Sequence, residues 1–229
     1  MGFPHSATTY IFKYLVEKYK EDLAIFEPFN PDIAYYEIDR RSTAHYSEGT
    51  VRLDYYKLPE KLKSLIKENS FWLIEWTWRD NPSAPYGGEY MWEIIQQLKD
   101  LPQSVIVKDV TIWVYLPELV SKYPDIKFIV PVREPKAILK DFEYLYQQAS
   151  KHGRKSVLHP RWGLGLCLFY RYFHGVRNYP RDFSVETMRR VFDEMYLKYL
   201  ELVGKVRYKA NALVVRFGWR LEERKIANL

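Results

Sequence analysis

Residues 105–142 read VIVKDVTIWVYLPELVSKYPDIKFIVPVREPKAILKDF. VIVK at 105–108 and IKFIVPV at 126–132 are short apolar runs rich in β-branched residues, and each reads as a strand. LPELVSKYP between them has helical spacing. EPKAILKDFEYLYQQAS, 134–150, opens with a proline and keeps a helical period. Apolar strands that alternate with helices indicate a parallel sheet covered on both faces.

The same alternation extends outward in both directions. TTYIFKYLVEKYKED, 8–22, places Ile11, Phe12, Tyr14, Leu15 and Tyr19 at helical spacing. LAIFEPFNP, 23–31, is a buried strand stopped by Pro28 and Pro31. PEKLKSLIKEN, 59–69, is a short helix with proline at its start. FWLIEWTW, 71–78, is aromatic and β-branched enough to be a strand, with a helix as the other reading. NPSAPYGG is a loop by composition. EYMWEIIQQLKDL, 89–101, reads as helix. SVETMRRVFDEMYLKYLELVGKV, 184–206, is a helix with Gly204 near its stop, and NALVVRF, 211–217, is a last strand. The expected fold is α/β, one domain over 1–229, with three layers: a parallel central sheet flanked by helices.

The chain has 229 residues, of which 47% are hydrophobic and 17% aromatic, enough for a substantial core and too apolar for a disordered chain. No run is long enough to be a membrane span, and the first ten residues lack the basic start and apolar stretch of a signal peptide. Cys167 is the one cysteine, which excludes an internal disulfide and a cysteine-rich metal site. These features fit a cytoplasmic protein. Abundant Tyr, Lys and Glu with scarce Asn and Gln lean toward a thermophilic source.

The net charge is +6, and it is unevenly placed. Residues 150–181 hold Lys151, Arg154, Lys155, Arg161, Arg171, Arg177 and Arg181, with His152, His159 and His174 among them and no acid. Such a stretch attracts anions. It is either a solvated basic face or a site for phosphate, sulfate or an acidic polymer, nucleic acid included.

In open parallel sheets, ligands bind beyond the carboxyl ends of the strands. The segments there are GFPHSATT (2–9), EPFNP (27–31), KDV (108–110) and REP (133–135). Three of them place a charge at the strand exit. In the first, Gly2 permits unusual backbone angles, and Ser6 through Thr9 face the positive end of a helix. This is a phosphate cradle or an ordinary Ser/Thr cap. Aligned on the nucleotide motif G-x-x-x-x-G-K-[ST], Ala7 stands at the second glycine and Thr8 at the lysine, which argues against an ATP or GTP hydrolase and against a small-molecule kinase.

GFPHSATT resembles the G-x-P-[RK]-S-G-T-[ST] loop of sulfotransferases that use 3′-phosphoadenosine 5′-phosphosulfate. VIVKDVTIWVYLPELVSKYPDIKFIVPVREP is similar to that family's second signature, a lysine leaving one strand and an R-x-P element ending the next. FEPFNP and NALVVRF resemble its second-strand exit and its late strand. The resemblance spans residues 2 to about 217. It implies a P-loop-like nucleotide-kinase architecture, an anionic nucleotide donor, an acceptor that carries no readable motif, and no metal. Related proteins carry a strand before the glycine, in the middle of the sheet. Here the sequence opens at the loop, so the expectation is an upstream coding start or a sheet core built differently.

The resemblance also implies roles. The loop residues His5, Ser6, Ala7, Thr8 and Thr9 would hold the 5′-phosphosulfate end, and Arg133 the 3′-phosphate. Lys108 would stabilise the leaving oxygen; otherwise it is a solvated lysine at a strand end. Glu27 is the first candidate for the base and Asp109 the second, with a capping carboxylate as the other reading of Glu27. His5 replaces an Arg or Lys of the family pattern, Ala7 a glycine, and Gly218 a common acid. Asp141 stands where the family has a serine against the 3′-phosphate, and would repel that phosphate unless it turns away or pairs with Arg133 or Lys140. Arg133 itself has a structural reading, an ion pair with Glu134 or Asp141. The alternative function is a sulfotransferase-like protein that kept the fold and binds a polyanion without catalysis.

Overall fold

The computed structural model describes residues 1–30, 43–46, 49–78, 90–151, 166–175, 177, 178, 180 and 182–217. In chain order its elements are α1 (Thr8–Lys18), β1 (Leu23–Phe26), β2 (Thr43–Tyr46), β3 (Gly49–Arg52), α2 (Glu60–Trp78), α3 (Met91–Lys99), β4 (Val105–Lys108), α4 (Leu116–Lys122), β5 (Phe128–Arg133), α5 (Pro135–Lys151), α6 (Leu166–His174), α7 (Val185–Val206) and β6 (Ala212–Phe217). Short 3-10 turns lie at Tyr55–Lys57 and Trp113–Tyr115.

The apolar runs form parallel strands. β1 pairs with β4, Leu23 opposite Val105 and Phe26 opposite Lys108. β5 pairs with β6, Phe128 opposite Ala212 and Arg133 opposite Phe217. β2 and β3 make a separate antiparallel pair. The fold is therefore mixed α/β with parallel strands. Among the described residues, the one central sheet expected from the sequence takes the form of two parallel pairs.

Helices supply the rest of the core. α7 packs on α4, α5 and α6, α2 packs on α3, and α1 lies against β4. Buried tyrosines of α7 bind strand carbonyls, Tyr199 to Pro131 and Tyr196 to Arg133, each at 2.5 Å. They fix the exit of β5 against the helical layer.

Two local expectations change. FWLIEWTW continues α2 to Trp78 rather than forming a strand. The helix starts behind Pro59, and no glycine or proline interrupts it before Trp78. Extending an established helix adds one hydrogen bond per residue, which outweighs the run's own strand preference. At α1 the capping position falls to Ala7, with no side-chain cap bond, instead of to a serine or threonine.

Candidate functional site

The parallel register places the exits of β1 and β4 side by side. Glu27 follows β1, and its backbone N–H donates to the Lys108 carbonyl at 2.6 Å. The two side chains then meet: the Lys108 ammonium donates to Glu27 Oε1, with both groups almost wholly buried. Asn30 Nδ2 donates to the other carboxylate oxygen, Oε2, at 2.5 Å. The Phe26 ring lies 4.1 Å from the ammonium, so the cation has an aromatic face as well as an anion. Burial pushes the Lys108 ammonium down to about 7, and the Asp109 charge opposes the shift. Glu27 has φ 51°, left-handed for a non-glycine residue, and such backbone strain clusters at functional sites.

Asp109 is buried beside this pair, with a different set of partners. Its Oδ1 accepts from Thr111 N, Thr111 Oγ1 and Ile112 N at 2.6, 2.7 and 3.1 Å, and its Oδ2 from Phe29 N at 3.2 Å. Burial raises its pKa while these four bonds lower it. The carboxylate thereby ties the β1 exit to the turn after β4.

The opening segment bridges the exit of β4 and the body of β5. Gly2 N donates to the Asp109 carbonyl at 3.3 Å, and the Met1 ammonium to the Ile129 carbonyl at 2.9 Å. A Cβ at Gly2 would fall 2.7 Å from the Pro131 ring, so only glycine permits this approach. His5 and Ala7 are both left-handed, φ 61° and 68°, and they curl the loop. Alternating backbone hands of this kind turn N–H groups toward one concave side. The Ser6 hydroxyl donates to the Phe3 carbonyl at 2.5 Å and closes the turn from inside. Thr8 is buried at the first turn of α1, and Thr9 is partly exposed beside it.

Arg133, at the end of β5, reaches across to this loop. One guanidinium nitrogen donates to the His5 carbonyl at 2.9 Å and to Asp141 Oδ2 at 2.6 Å. His5 Nδ1 lies 3.8 Å from the same carboxylate oxygen. Of the alternatives open in the sequence, Asp141 pairs with Arg133.

The site residues thus form two groups joined by the loop. Glu27, Lys108 and Asp109 make one, and His5, Arg133 and Asp141 the other. Lys108 is buried, which removes its reading as a solvated strand-end lysine. The basic stretch is broken up: Arg171 is buried on α6, and His174 lies 2.5 Å from Glu194. Lys151 and Arg177 are exposed. His152, Arg154, Lys155, His159, Arg161, Arg181 and Gly218 lie outside the described residues. Among the described residues no group of three or more His, Cys, Asp or Glu is placed to hold a metal, and no helix is long and apolar enough to cross a membrane.

Sequence reasoning missed Asn30 and Phe3. Asn30 sits between Phe29 and Pro31, and a polar residue in an apolar strand exit was a signal of a buried partner. Phe3 is fully buried within an otherwise loop-like stretch and holds the loop in the core.

A family model described as Sulfotransferase domain matches residues 66–220. The matched stretch includes Lys108, Asp109, Arg133 and Asp141, while Glu27 and the opening loop precede it. No curated protein and no solved structure matches the chain.

Proposed function

Because this chain belongs to the sulfotransferase domain family, we propose that it transfers a sulfuryl group from 3′-phosphoadenosine 5′-phosphosulfate to a hydroxyl or amine acceptor. The observation that carries this reading is the buried Lys108–Glu27 pair at adjoining strand exits, directly beside the curled loop. A buried cation in contact with a carboxylate suits a reaction that needs positioning and charge stabilisation more than covalent help.

The loop N–H groups with Thr8 and Thr9 hold the 5′-phosphate. Ser6, whose hydroxyl is committed to Phe3, shapes the turn. His5 and Ala7 contribute backbone curvature. The acceptor oxygen or nitrogen attacks sulfur in line, the bond from sulfur to the bridging phosphate oxygen breaks, and that oxygen takes the electron pair. Lys108 neutralises the charge that develops there. Glu27 takes the acceptor's proton, with Asn30 fixing its orientation. Asp109 positions both strand exits, and its four internal bonds favour Glu27 over Asp109 as base. Arg133 meets the 3′-phosphate.

The donor is an anion and Lys108 loses its proton near neutrality, so donor binding above pH 7 should take up a proton. Affinity should then weaken as pH rises. Calorimetry with 3′-phosphoadenosine 5′-phosphate in buffers of different ionisation enthalpy measures both effects. No heat at millimolar nucleotide would defeat the donor assignment.

The Arg133–Asp141 pair favours a second reading. With the arginine already neutralised, the protein keeps a sulfotransferase-like fold and binds a polyanion without transfer. A transfer assay that stays blank while nucleotide or polyanion binds would select it.

A further inference from the structure

Carboxylates and guanidiniums read a ribose in opposite ways. In dinucleotide sites an acid accepts a hydrogen bond from a free ribose hydroxyl, and an arginine receives the same position once it is phosphorylated. Arg133 and Asp141 place one group of each kind at a single point, bonded to each other at 2.6 Å. Their side chains are 29% and 38% exposed, so the pair is open to a ligand.

The bonding within the pair is one-sided. Arg133 Nη1 donates to Asp141 Oδ2, and His5 Nδ1 lies 3.8 Å from that same oxygen. Among the described residues, no group donates to Oδ1. The other bond of the guanidinium also leaves from Nη1, to the His5 carbonyl. The pair therefore presents a carboxylate oxygen that lacks a donor, beside a guanidinium whose charge is already matched. His5 belongs to the curled loop, so the pair stands against the segment assigned to the 5′-phosphate. A nucleoside carries its 5′ and 3′ positions on one ribose, and the groups that hold the two positions must be neighbours in this way.

We propose that the Arg133–Asp141 pair admits adenosine 5′-phosphates with a free 3′-hydroxyl to the nucleotide site, as a ligand class alongside the 3′-phosphorylated one. Asp141 Oδ1 accepts a charge-assisted hydrogen bond from the 3′-hydroxyl, while the bond from Arg133 to Oδ2 stays closed. A 3′-phosphate reaches Arg133 only by parting it from Asp141, and then meets the charge of the carboxylate. The two classes thus use two states of one pair, and the 3′-phosphate gains little net affinity. This ribose specificity rests on the nucleotide-site reading proposed above.

Calorimetry on the full chain compares adenosine 5′-phosphate, its 3′-deoxy and 2′-deoxy forms, and 3′-phosphoadenosine 5′-phosphate. Adenosine 5′-phosphate should bind no more than about tenfold weaker than the 3′-phosphorylated nucleotide, and a wider gap overturns the proposal. Losing a hydrogen bond to a charged group should weaken the 3′-deoxy form by about tenfold or more, with the 2′-deoxy form within about threefold of the parent. Equal binding of the parent and its 3′-deoxy form overturns the proposal, as does an equal loss for both deoxy forms. That comparison needs no variant, so it decides even if a substitution unfolds the chain. Asp141→Ala should weaken adenosine 5′-phosphate by about tenfold, leave the 3′-deoxy form unchanged and tighten 3′-phosphoadenosine 5′-phosphate by about tenfold. A residue with a merely structural role would move every nucleotide alike, and that result overturns the proposal too. Where the 3′-phosphorylated nucleotide binds and the free 3′-hydroxyl goes unread, the donor assignment stands and the ribose specificity falls. A blank with every nucleotide at millimolar concentration removes the nucleotide site itself, and the ribose specificity with it.

Discussion

At the scale of single residues, charge decides the site. Lys108 loses its proton at about 7 in the folded chain against an ordinary 10.5. Between these values the unfolded chain binds a proton that the folded one has released, so stability rises with pH across that window. Below it both states are protonated and the contribution is flat. Lys108→Met should abolish this rise, as read from melting temperatures between pH 6.5 and 10; parallel slopes for the two proteins would mean that the ammonium is not held down. Glu27→Gln keeps the side chain's shape and removes the proposed base. It should cut transfer by about 10²–10⁴-fold with nucleotide affinity kept, and full turnover would take Glu27 out of the chemistry. Asp141 is over a third exposed, so its charge acts on a bound phosphate through screening water. Asp141→Ser should therefore tighten 3′-phosphoadenosine 5′-phosphate by about tenfold, well short of the roughly 4 kcal/mol of a close pair at an effective dielectric near 20. Unchanged or weaker binding by calorimetry would separate Asp141 from the 3′-phosphate.

At the scale of elements, α1 begins on a strained residue. Ala7 at φ 68° carries a penalty of about 1–2 kcal/mol that glycine escapes, less what glycine loses in chain entropy. Ala7→Gly should raise the melting temperature by about 2–4 °C, and no change would mean the loop relaxes without help. Elements whose period and flanks agree were legible in the sequence. β1, β4, β5 and β6 are apolar runs between breakers, and α4, α5 and α7 have their stripes. The tail of α2 was not legible, because its local preference opposed the helix that ran into it. The Lys108–Glu27 pair was legible only as two separate candidates. It spans 81 residues and follows from the register of β1 on β4, which no local pattern encodes. The bond between Arg133 and Asp141 was within reach, since eight residues across a strand exit and two helical turns bring them to one side.

At the scale of the whole molecule, one aromatic residue near the start connects the loop to the helical layer. Phe3 is fully buried, and its ring contacts Trp113, Phe142, Phe169, Phe192, Tyr196 and Tyr199 with centroids 5.4–6.5 Å away. These partners come from the turn before α4 and from α5, α6 and α7. Aromatic pairs are worth about 0.5–1.5 kcal/mol each beyond burial, and their shared ring cannot be removed without a cavity among rigid neighbours. Phe3→Ala should cost about 3–5 kcal/mol, a fall of roughly 10 °C in a chain of this length. The loop begins at this anchor, so nucleotide affinity should fall with stability. Phe3→Leu should recover part of both, since it refills most of the volume. Tyr208→Ala is the control: at 82% exposure its ring packs little, and the change should stay within about 0.5 kcal/mol. Urea melts of the four proteins, paired with calorimetry, test the linkage. If Phe3→Ala loses stability but keeps its affinity, the loop is held by Gly2 and Arg133 alone, and the aromatic hub serves the core without serving the site.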